Sequence, residues 1–235
     1  MGSRRVIAVV LAGGTGTRMG SAVPKQLLHL AGRPVLQHSI EAFEESEDVD
    51  EVLVLMHPDF LAEARDLAAS SPKVTEVIAG GRTRNESTQA ALDALSGVAD
   101  PDDKVLFHDA VRPLVDAATI ARCVTALDRH DAVYAAVPSV DTIIEAEGTR
   151  LVAVPDRRRL HRGQTPQGFR MSTIRDAYAT AWQDPQFEAT DDCSVVLRYA
   201  PQVAIEVVLG SATNLKITEP IDLVIAEALL ARDRA

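Results

Sequence analysis

Runs of apolar residues alternate with amphipathic segments along the first half of the chain. Residues 6–11 are rich in β-branched side chains and run into Gly13 and Gly14, which predicts a strand buried on both faces. Similar strands are predicted at 51–56, 74–79, 104–107 and 132–137, and helices at 34–43, 58–69, 83–95 and 117–128. This alternation predicts an α/β fold with a Rossmann-like, mostly parallel sheet that has helices on both faces.

The pattern changes after residue 138. Residues 139–155 form two short alternating segments around Glu147 and Gly148, which predicts a protruding β-hairpin arm. A polar stretch follows at 156–164, then predicted helices at 171–182, 191–199 and 219–232 and strands at 203–208 and 215–217. Because no linker interrupts the chain, we expect one domain over residues 1–235 with the arm inserted in it.

Composition narrows the class of protein. With 46% hydrophobic and 25% charged residues, the 235-residue chain has an ordinary globular composition. Its net charge of -10 disfavours nonspecific binding to nucleic acid or to anionic membranes, so we expect neither as a partner. No apolar run is long enough for an export signal or a membrane span. Cys123 and Cys193 are not spaced as in a disulfide framework or a zinc site. Together these observations predict a cytoplasmic protein.

A glycine-rich turn follows the first predicted strand, where residues 11–26 read LAGGTGTRMGSAVPKQ. Glycines let backbone N–H groups approach phosphate oxygens, and Arg18 and Lys25 supply positive charge to neutralise them. The spacing matches neither the P-loop nor the dinucleotide-binding motif. Taken alone, the turn is equally typical of a tight connection with solvated basic residues.

Further motifs follow in a fixed order. They are GGRTRNES at 80–87, HDAVRP at 108–113, QTPQ at 164–167, TDD at 190–192 and NLKIT at 214–218. With the glycine-rich turn, they resemble in order and spacing the cytidylyltransferases that act on methylerythritol phosphate or ribitol phosphate. The resemblance covers residues 6 to about 230 and implies transfer of CMP from CTP with release of pyrophosphate.

Readings from two other classes of protein remain. A dinucleotide-dependent dehydrogenase would need an acidic residue at the end of the second strand, but that strand runs into Met56, His57 and Pro58. A catalytically silent nucleotide-binding protein would have lost its basic and acidic site residues. Here Arg18 and Lys25 are both present, which disfavours it.

The resemblance also assigns roles on the nucleotide side. Expected nucleotide contacts are Leu11, Ala12, Gly13, Gly14, Gly81, Arg82, Ser87 and Asp109, and expected catalytic cations are Arg18, Lys25 and Lys216. Asp109 ends the fourth core strand and is the expected Mg²⁺ ligand, because one carboxylate plus nucleotide phosphates suits this ion. Asp109 could instead cap a helix or pair with Arg112, and Ser87 could be an ordinary helix residue.

On the acceptor side, the resemblance implies contacts from Arg112, Thr142, Arg157, Thr165 and Thr190. It places Thr142 and Arg157 on the arm region that reaches into a neighbouring subunit, which predicts a homodimer with a composite site. Lys216 interrupts an apolar segment, and with Arg157 it would supply two cations for a phosphate dianion. Residues 157–159, however, also fit a solvated charge run.

The choice of acceptor depends on finer similarities. The sequence LAGG at residues 11–14 and the pair Ile144-Glu145 resemble the ribitol-phosphate branch of the family more closely. We therefore expect D-ribitol 5-phosphate as the acceptor, giving CDP-ribitol. The alternative acceptor is 2-C-methyl-D-erythritol 4-phosphate.

Overall fold

A seven-stranded sheet forms the centre of the molecule in the computed structural model, which describes residues 4–14 and 23–233. The strands are β1 (Val6–Ala12), β2 (His29–Leu30), β3 (Arg33–Pro34), β4 (Glu51–Met56), β5 (Val74–Ala79), β6 (Lys104–Asp109), β7 (Ala132–Pro138), β8 (Glu145–Glu147), β9 (Arg150–Ala153), β10 (His161–Arg170) and β11 (Ile205–Leu209). The helices are α1 (Val35–Glu44), α2 (Leu61–Ala68), α3 (Arg84–Ala94), α4 (Ala117–Ala126), α5 (Met171–Ala181), α6 (Asp192–Tyr199) and α7 (Pro220–Asp233). The strand order of the central sheet is β11-β7-β10-β6-β1-β4-β5, and only β10 runs antiparallel to its neighbours.

Both faces of the sheet are buried under helices. Val6, Ala8 and Val10 of β1 belong to a core cluster that includes residues of α1, α2 and α4. The alternate residues Ile7 and Val9 belong to a second cluster with residues of α3, α5 and α6. This two-sided burial explains why β1 is apolar at every position, and it confirms the predicted α/β fold.

The parallel strands bring their carboxyl ends to one edge of the sheet. In the register of β1, Leu11 lies opposite Leu55 of β4 and Asp109 of β6. The turns after β1, β5 and β6 therefore meet at this edge, where open α/β sheets bind their ligands.

The second half of the chain differs from the sequence prediction in two places. No strand is predicted within the polar stretch 156–164, but β10 begins at His161 and inserts between β6 and β7. Its register against β7 shifts between Gly163 and Gln167, so the strand bulges there. The prediction of a strand at 215–217 is wrong: the Ile217 amide donates at 2.8 Å to the carbonyl of Val111, which lies in the turn after β6 and outside the sheet.

The arm is a two-stranded hairpin of β8 and β9, as predicted. Gly148 takes a φ of +57° at its turn, a conformation that glycine adopts without steric cost. Several large apolar side chains of the arm region are exposed: Val140, Ile143, Ile144, Leu151, Val152 and Val154. The arm therefore carries an apolar surface that its own chain leaves uncovered.

No helix within the described residues is long and apolar enough to cross a membrane. Cys123 and Cys193 are both free and buried. The single-domain organisation over residues 1–235 stays a prediction.

Candidate functional site

Two glycine-containing turns touch at the carboxyl edge of the sheet. A Cβ atom on Gly80 would lie 3.1 Å from the Cα of Gly13, so the turn after β5 packs directly on the turn after β1. The buried Gln26 side chain donates to the carbonyls of Ala12 at 2.7 Å and Gly14 at 2.6 Å. These contacts fix the described part of the first turn to the chain that follows it.

The space between the turns is a cavity, here called the glycine-lined pocket. Of the predicted site residues, it is lined by Leu11, Gly13, Gly14, Lys25, Gly81, Arg82, Ser87, Asp109 and Lys216. Helix α3 begins beside it with a capping box, in which Thr83 accepts from the Glu86 amide and Glu86 accepts from the Thr83 amide. The cap fixes the turn that carries Gly81 and Arg82.

Asp109 lies at the centre of a cluster of charges. Its carboxylate accepts from Arg84 and, at 2.9 Å, from the Lys216 ammonium, and the Arg112 Nε lies 3.7 Å away. Burial opposes ionisation of Asp109, but Arg84, Lys216 and Arg112 outweigh burial and hold its pKa below the usual value. Asp109 is therefore ionised at neutral pH.

A second cavity adjoins the first, here called the polar pocket. It shares Arg84, Asp109 and Lys216 with the glycine-lined pocket, so these three side chains form a common wall. Its other linings include the predicted residues Arg112, Thr165 and Thr190, together with Tyr134, Gly163, Gln164, Gln167 and Asp191. Two ligands bound in these pockets would meet at Asp109 and Lys216.

Buried hydrogen bonds hold the wall in place. The Thr165 hydroxyl accepts from the Asp109 amide at 3.1 Å and lies 3.0 Å from His108 Nδ1. Burial lowers the pKa of His108 to about 4, so this ring is neutral at neutral pH. Arg112 donates to the carbonyls of Asn214 at 2.8 Å and Gly163 at 3.3 Å, which directs its guanidinium toward the polar pocket.

Comparison with known proteins identifies the family. The family model described as IspD, 2-C-methyl-D-erythritol 4-phosphate cytidylyltransferase, matches residues 6–232. The chain belongs to this family. A 2-C-methyl-D-erythritol 4-phosphate cytidylyltransferase of Thermobifida fusca is 51% identical, with 96% of this chain and 93% of that protein covered.

The relatives differ in the acceptor that their names imply. A bifunctional ribulose 5-phosphate reductase/CDP-ribitol pyrophosphorylase of Haemophilus influenzae is 37% identical over 97% of this chain and 49% of that protein. Among solved structures, the 2-C-methyl-D-erythritol 4-phosphate cytidylyltransferase of Thermus thermophilus has a TM-score of 0.73 at 34% identity, covering 94% of this chain and 98% of that one. These findings confirm the resemblance drawn from the motifs. The protein is a cytidylyltransferase that uses CTP and a polyol phosphate.

Not every predicted residue of the cytidylyltransferase lines a pocket. Arg18 lies outside the described residues. Ala12 is fully buried in β1, and its carbonyl accepts from the Gln26 side chain. Thr142 and Arg157 are exposed in the arm region and line neither pocket, and Arg157 donates to the Val140 carbonyl at 3.0 Å.

The alternatives left open at Ser87 and Asp109 are both partly realised. The Ser87 hydroxyl donates to the Thr83 carbonyl at 2.9 Å and accepts from the Gly81 amide at 3.0 Å, as a helix residue bonded to its own turn would. It nevertheless lines the glycine-lined pocket. Asp109 forms the alternative ion pair with Arg112, but its closer partners are Arg84 and Lys216.

Arg84, which the sequence assigned only to ordering its loop, and Asp192 are the principal residues missing from the predicted site. Arg84 bridges two carboxylates, with Asp109 on one side and Asp192 at 2.6 Å on the other. Asp192 is fully buried and also accepts from the Thr88 hydroxyl at 2.8 Å and the Tyr178 hydroxyl at 2.7 Å. Both residues lie inside motifs already noted. The ion pair between them joins positions more than a hundred residues apart, so no local sequence pattern predicts it.

A magnesium ion would have one carboxylate to bind here. Among the described residues, no group of three or more His, Cys, Asp or Glu side chains is arranged to hold a metal. The donor set still suits Mg²⁺, which commonly uses a single carboxylate together with the phosphates of a nucleotide. The predicted role of Asp109 in metal binding stays a proposal.

Proposed function

We propose that the enzyme transfers CMP from CTP to 2-C-methyl-D-erythritol 4-phosphate and releases pyrophosphate. The observation that carries this choice of acceptor is the match of residues 6–232 to a family named for that reaction, together with a 51% identical relative of the same name. The pair of cavities with a shared cationic wall supports it, because one cavity suits a nucleotide and the other a small polar phosphate.

D-Ribitol 5-phosphate, the acceptor expected from the sequence, becomes the second candidate. Its support is the 37% identical relative whose name includes CDP-ribitol pyrophosphorylase, together with the local sequence similarities at residues 11–14 and 144–145. The relatives named for methylerythritol phosphate outweigh these similarities, since they include the more similar one.

The proposed reaction is an in-line displacement at the α-phosphorus of CTP. An oxygen of the acceptor phosphate forms the new P–O bond, and the bond to the β-phosphate breaks, so that pyrophosphate leaves with the electron pair. The attacking oxygen is already deprotonated at neutral pH, so the protein needs no general base. Its task is to align the two ligands and to stabilise the charge that develops between them.

Lys216 and Lys25 are placed for this task. Lys216 lines both pockets and lies at their common wall, where the acceptor phosphate and the α-phosphate of CTP would meet. Lys25 lines the glycine-lined pocket and donates to the Ile217 carbonyl at 3.1 Å, which ties it to the segment that carries Lys216. When bound, Mg²⁺ would neutralise phosphate charge beside Asp109.

We also infer that the working enzyme is a homodimer. The exposed apolar side chains of the arm region, with Leu151 at 56% and Val140 at 69% exposure, favour burial against a second copy of the chain. Thr142 and Arg157 lie on the same region and line neither pocket of their own chain. A second subunit is the partner to which they could contribute.

Pyrophosphate release tests the proposed function. We expect purified enzyme with CTP and Mg²⁺ to give a higher kcat/KM with 2-C-methyl-D-erythritol 4-phosphate than with D-ribitol 5-phosphate, and little activity with UTP, ATP or GTP. Lys216→Ala is the inactive control. A preference for ribitol 5-phosphate would replace the proposed acceptor, and no release with either acceptor would refute the reaction.

Mixing two inactive variants tests the composite site. Arg157→Ala and Lys216→Ala should each be inactive, but subunits exchanged between them form hybrid dimers in which one site keeps both residues. We expect roughly a quarter of wild-type turnover after exchange, because half of randomly paired dimers are hybrids with one intact site each. A mixture that stays inactive despite exchange detected by mass spectrometry would refute a shared site, as would a monomeric sedimentation coefficient for the wild-type enzyme.

A further inference from the structure

Tyr134 is a polar side chain in an otherwise apolar strand. It lies in the middle of β7, opposite Gln167 of β10 and Val207 of β11, and it is half-buried while its neighbours Val133 and Ala135 are buried. The bulge of β10 begins at Gly163, directly beside the ring. A Cβ atom on Gly163 would lie 2.1 Å from the Tyr134 hydroxyl, so glycine at this position leaves room for the phenol.

The Tyr134 hydroxyl donates to the carboxylate of Asp191, and both residues line the polar pocket. Asp191 also caps helix α6, since its other carboxylate oxygen accepts from the Ser194 amide at 2.8 Å. Burial and the hydrogen bond to Asp191 raise the pKa of Tyr134, so the phenol keeps its proton at neutral pH. Tyr134 therefore remains the donor in this pair.

Acceptor capacity remains on both residues after these bonds are made. A carboxylate oxygen accepts at two lone pairs, and a phenol that donates its proton still accepts through its oxygen. The pair can thus receive hydrogen bonds from alcohol hydroxyls. The same pocket is also lined by three cations, Arg112, Arg84 and Lys216.

A pocket lined by both cations and hydroxyl acceptors suits a phosphorylated polyol. The phosphate is attracted to the guanidinium and ammonium groups, while the free hydroxyls extend toward the acceptors. The two candidate acceptors differ in this part of the molecule. Methylerythritol phosphate is branched and carries a methyl group, whereas ribitol phosphate is unbranched and has one hydroxyl more.

We propose that Tyr134 and Asp191 bind the hydroxyl groups of the acceptor and thereby determine which polyol phosphate the enzyme prefers. This inference rests on the proposed function, because it assigns the acceptor to the polar pocket. It adds a specificity determinant on β7, a strand whose sequence suggests only a core role. A site built to bind substrate hydroxyls discriminates strongly between acceptors that do and do not satisfy it.

Tyr134→Phe removes the hydroxyl and keeps the ring. We expect kcat/KM for the preferred acceptor to fall about ten- to hundredfold, mostly through a higher KM, as when a substrate hydroxyl loses its partner. The preference between the two acceptors should shift by at least about fivefold, since the poorer acceptor is less well aligned with the pair. The KM for CTP should stay unchanged, because Tyr134 does not line the glycine-lined pocket.

Tyr178→Phe is the matched control. Tyr178 also donates from a phenol to an aspartate at the start of α6, at 2.7 Å to Asp192, but it is fully buried and lines neither pocket. Both variants lose one tyrosine–aspartate hydrogen bond, so a merely structural role predicts similar effects. We expect the acceptor preference to change in Tyr134→Phe and to stay at the wild-type value in Tyr178→Phe.

Asp191→Asn is a second variant that tests the same pair. Asparagine caps helices as well as aspartate does, so the start of α6 should survive while the carboxylate is lost. We expect the same shift in acceptor preference as in Tyr134→Phe. An unchanged preference in both folded variants would overturn the inference and leave the proposed function standing, whereas a wild-type enzyme inactive with either acceptor would overturn both.

Discussion

Replacing Arg84 with methionine should destabilise the protein more than any exposed charge deletion. The variant keeps a long side chain but removes the guanidinium that bridges Asp109 and Asp192. Asp109 retains Lys216 at 2.9 Å, whereas fully buried Asp192 keeps, among the described side chains, the hydroxyl donors of Thr88 and Tyr178. The main cost therefore arises at Asp192.

The size of this cost follows from the burial of the pair. The Asp192 side chain is 0% exposed and that of Arg84 is 21% exposed, so water screens their interaction weakly. Removing one partner of such a buried pair costs about 3–5 kcal/mol. For a protein of this length, that loss corresponds to a fall in Tm of about 10 °C.

Urea denaturation followed by circular dichroism measures this loss, and a double-mutant cycle assigns it. Arg84→Met, Asp192→Asn and the double variant should show a coupling energy of about 2–3 kcal/mol. Arg158→Ala is the control, because its side chain is 89% exposed and its unfolding curve should superimpose on that of wild type. An Arg84→Met variant within about 1 kcal/mol of wild type, or single effects that simply add, would refute the reasoning.

Three further predictions concern catalysis, nucleotide binding and pH. Lys25→Ala or Lys216→Ala should each lower kcat about 100-fold or more with an unchanged circular dichroism spectrum, and near-wild-type turnover would remove that lysine from the catalytic group. In Gly81→Ala, the new Cβ would lie 2.2 Å from the Glu86 Cβ, so we expect calorimetry to show at least about tenfold weaker CTP binding; wild-type affinity would count against a role for this turn. His108 has a folded pKa of about 4 against 6.5 unfolded, so stability is full above pH 6.5 and falls by about 3 kcal/mol toward pH 4. Urea titrations at a series of pH values, with EDTA present, should show that the free energy of unfolding declines less steeply with falling pH in His108→Asn than in wild type. Parallel declines in the two proteins would contradict the assignment to His108.

Much of the first half of the fold could be predicted because strands β1 and β4 are apolar and almost wholly buried, and because helices α1 and α2 have an apolar face. The strand at Glu51–Met56, for example, has the predicted bounds. Strand β10 escaped prediction because its sequence, HRGQTPQGFR, contains glycine, proline and glutamine where a central strand usually has branched apolar residues. Its polar side chains have partners that are distant in sequence, such as the Cys193 amide that donates to Gln167 at 3.0 Å.

Site residues could be predicted where a local motif identifies a glycine turn or a charged side chain. They could not be predicted where the role of a residue depends on a contact with a distant part of the chain. Gly13, Gly81 and Lys216 could be named from their motifs, and the structure brings them to one cavity. The bridge from Arg84 to Asp192 joins helices α3 and α6 and depends on the packing of both. Tyr134 belongs to none of the motifs, and its position in the apolar strand β7 suggests only a core residue.

The place of β10 in the sheet also determines when the molecule can be completed during synthesis. Strands β6 and β7 both precede β10 in the chain, yet β10 lies between them and is the link that joins β7 and β11 to the rest of the central sheet. Since β7 and β10 are antiparallel neighbours, they form a long hairpin whose connection carries the arm, and β10 pairs this hairpin with β6. Until residue 170 has left the ribosome, β6 presents an open edge of the kind that invites misassembly. We therefore expect this edge to be most accessible while residues 110–170 are being translated. The insertion of β10 that covers it also brings Thr165 and Gln167 into the lining of the polar pocket.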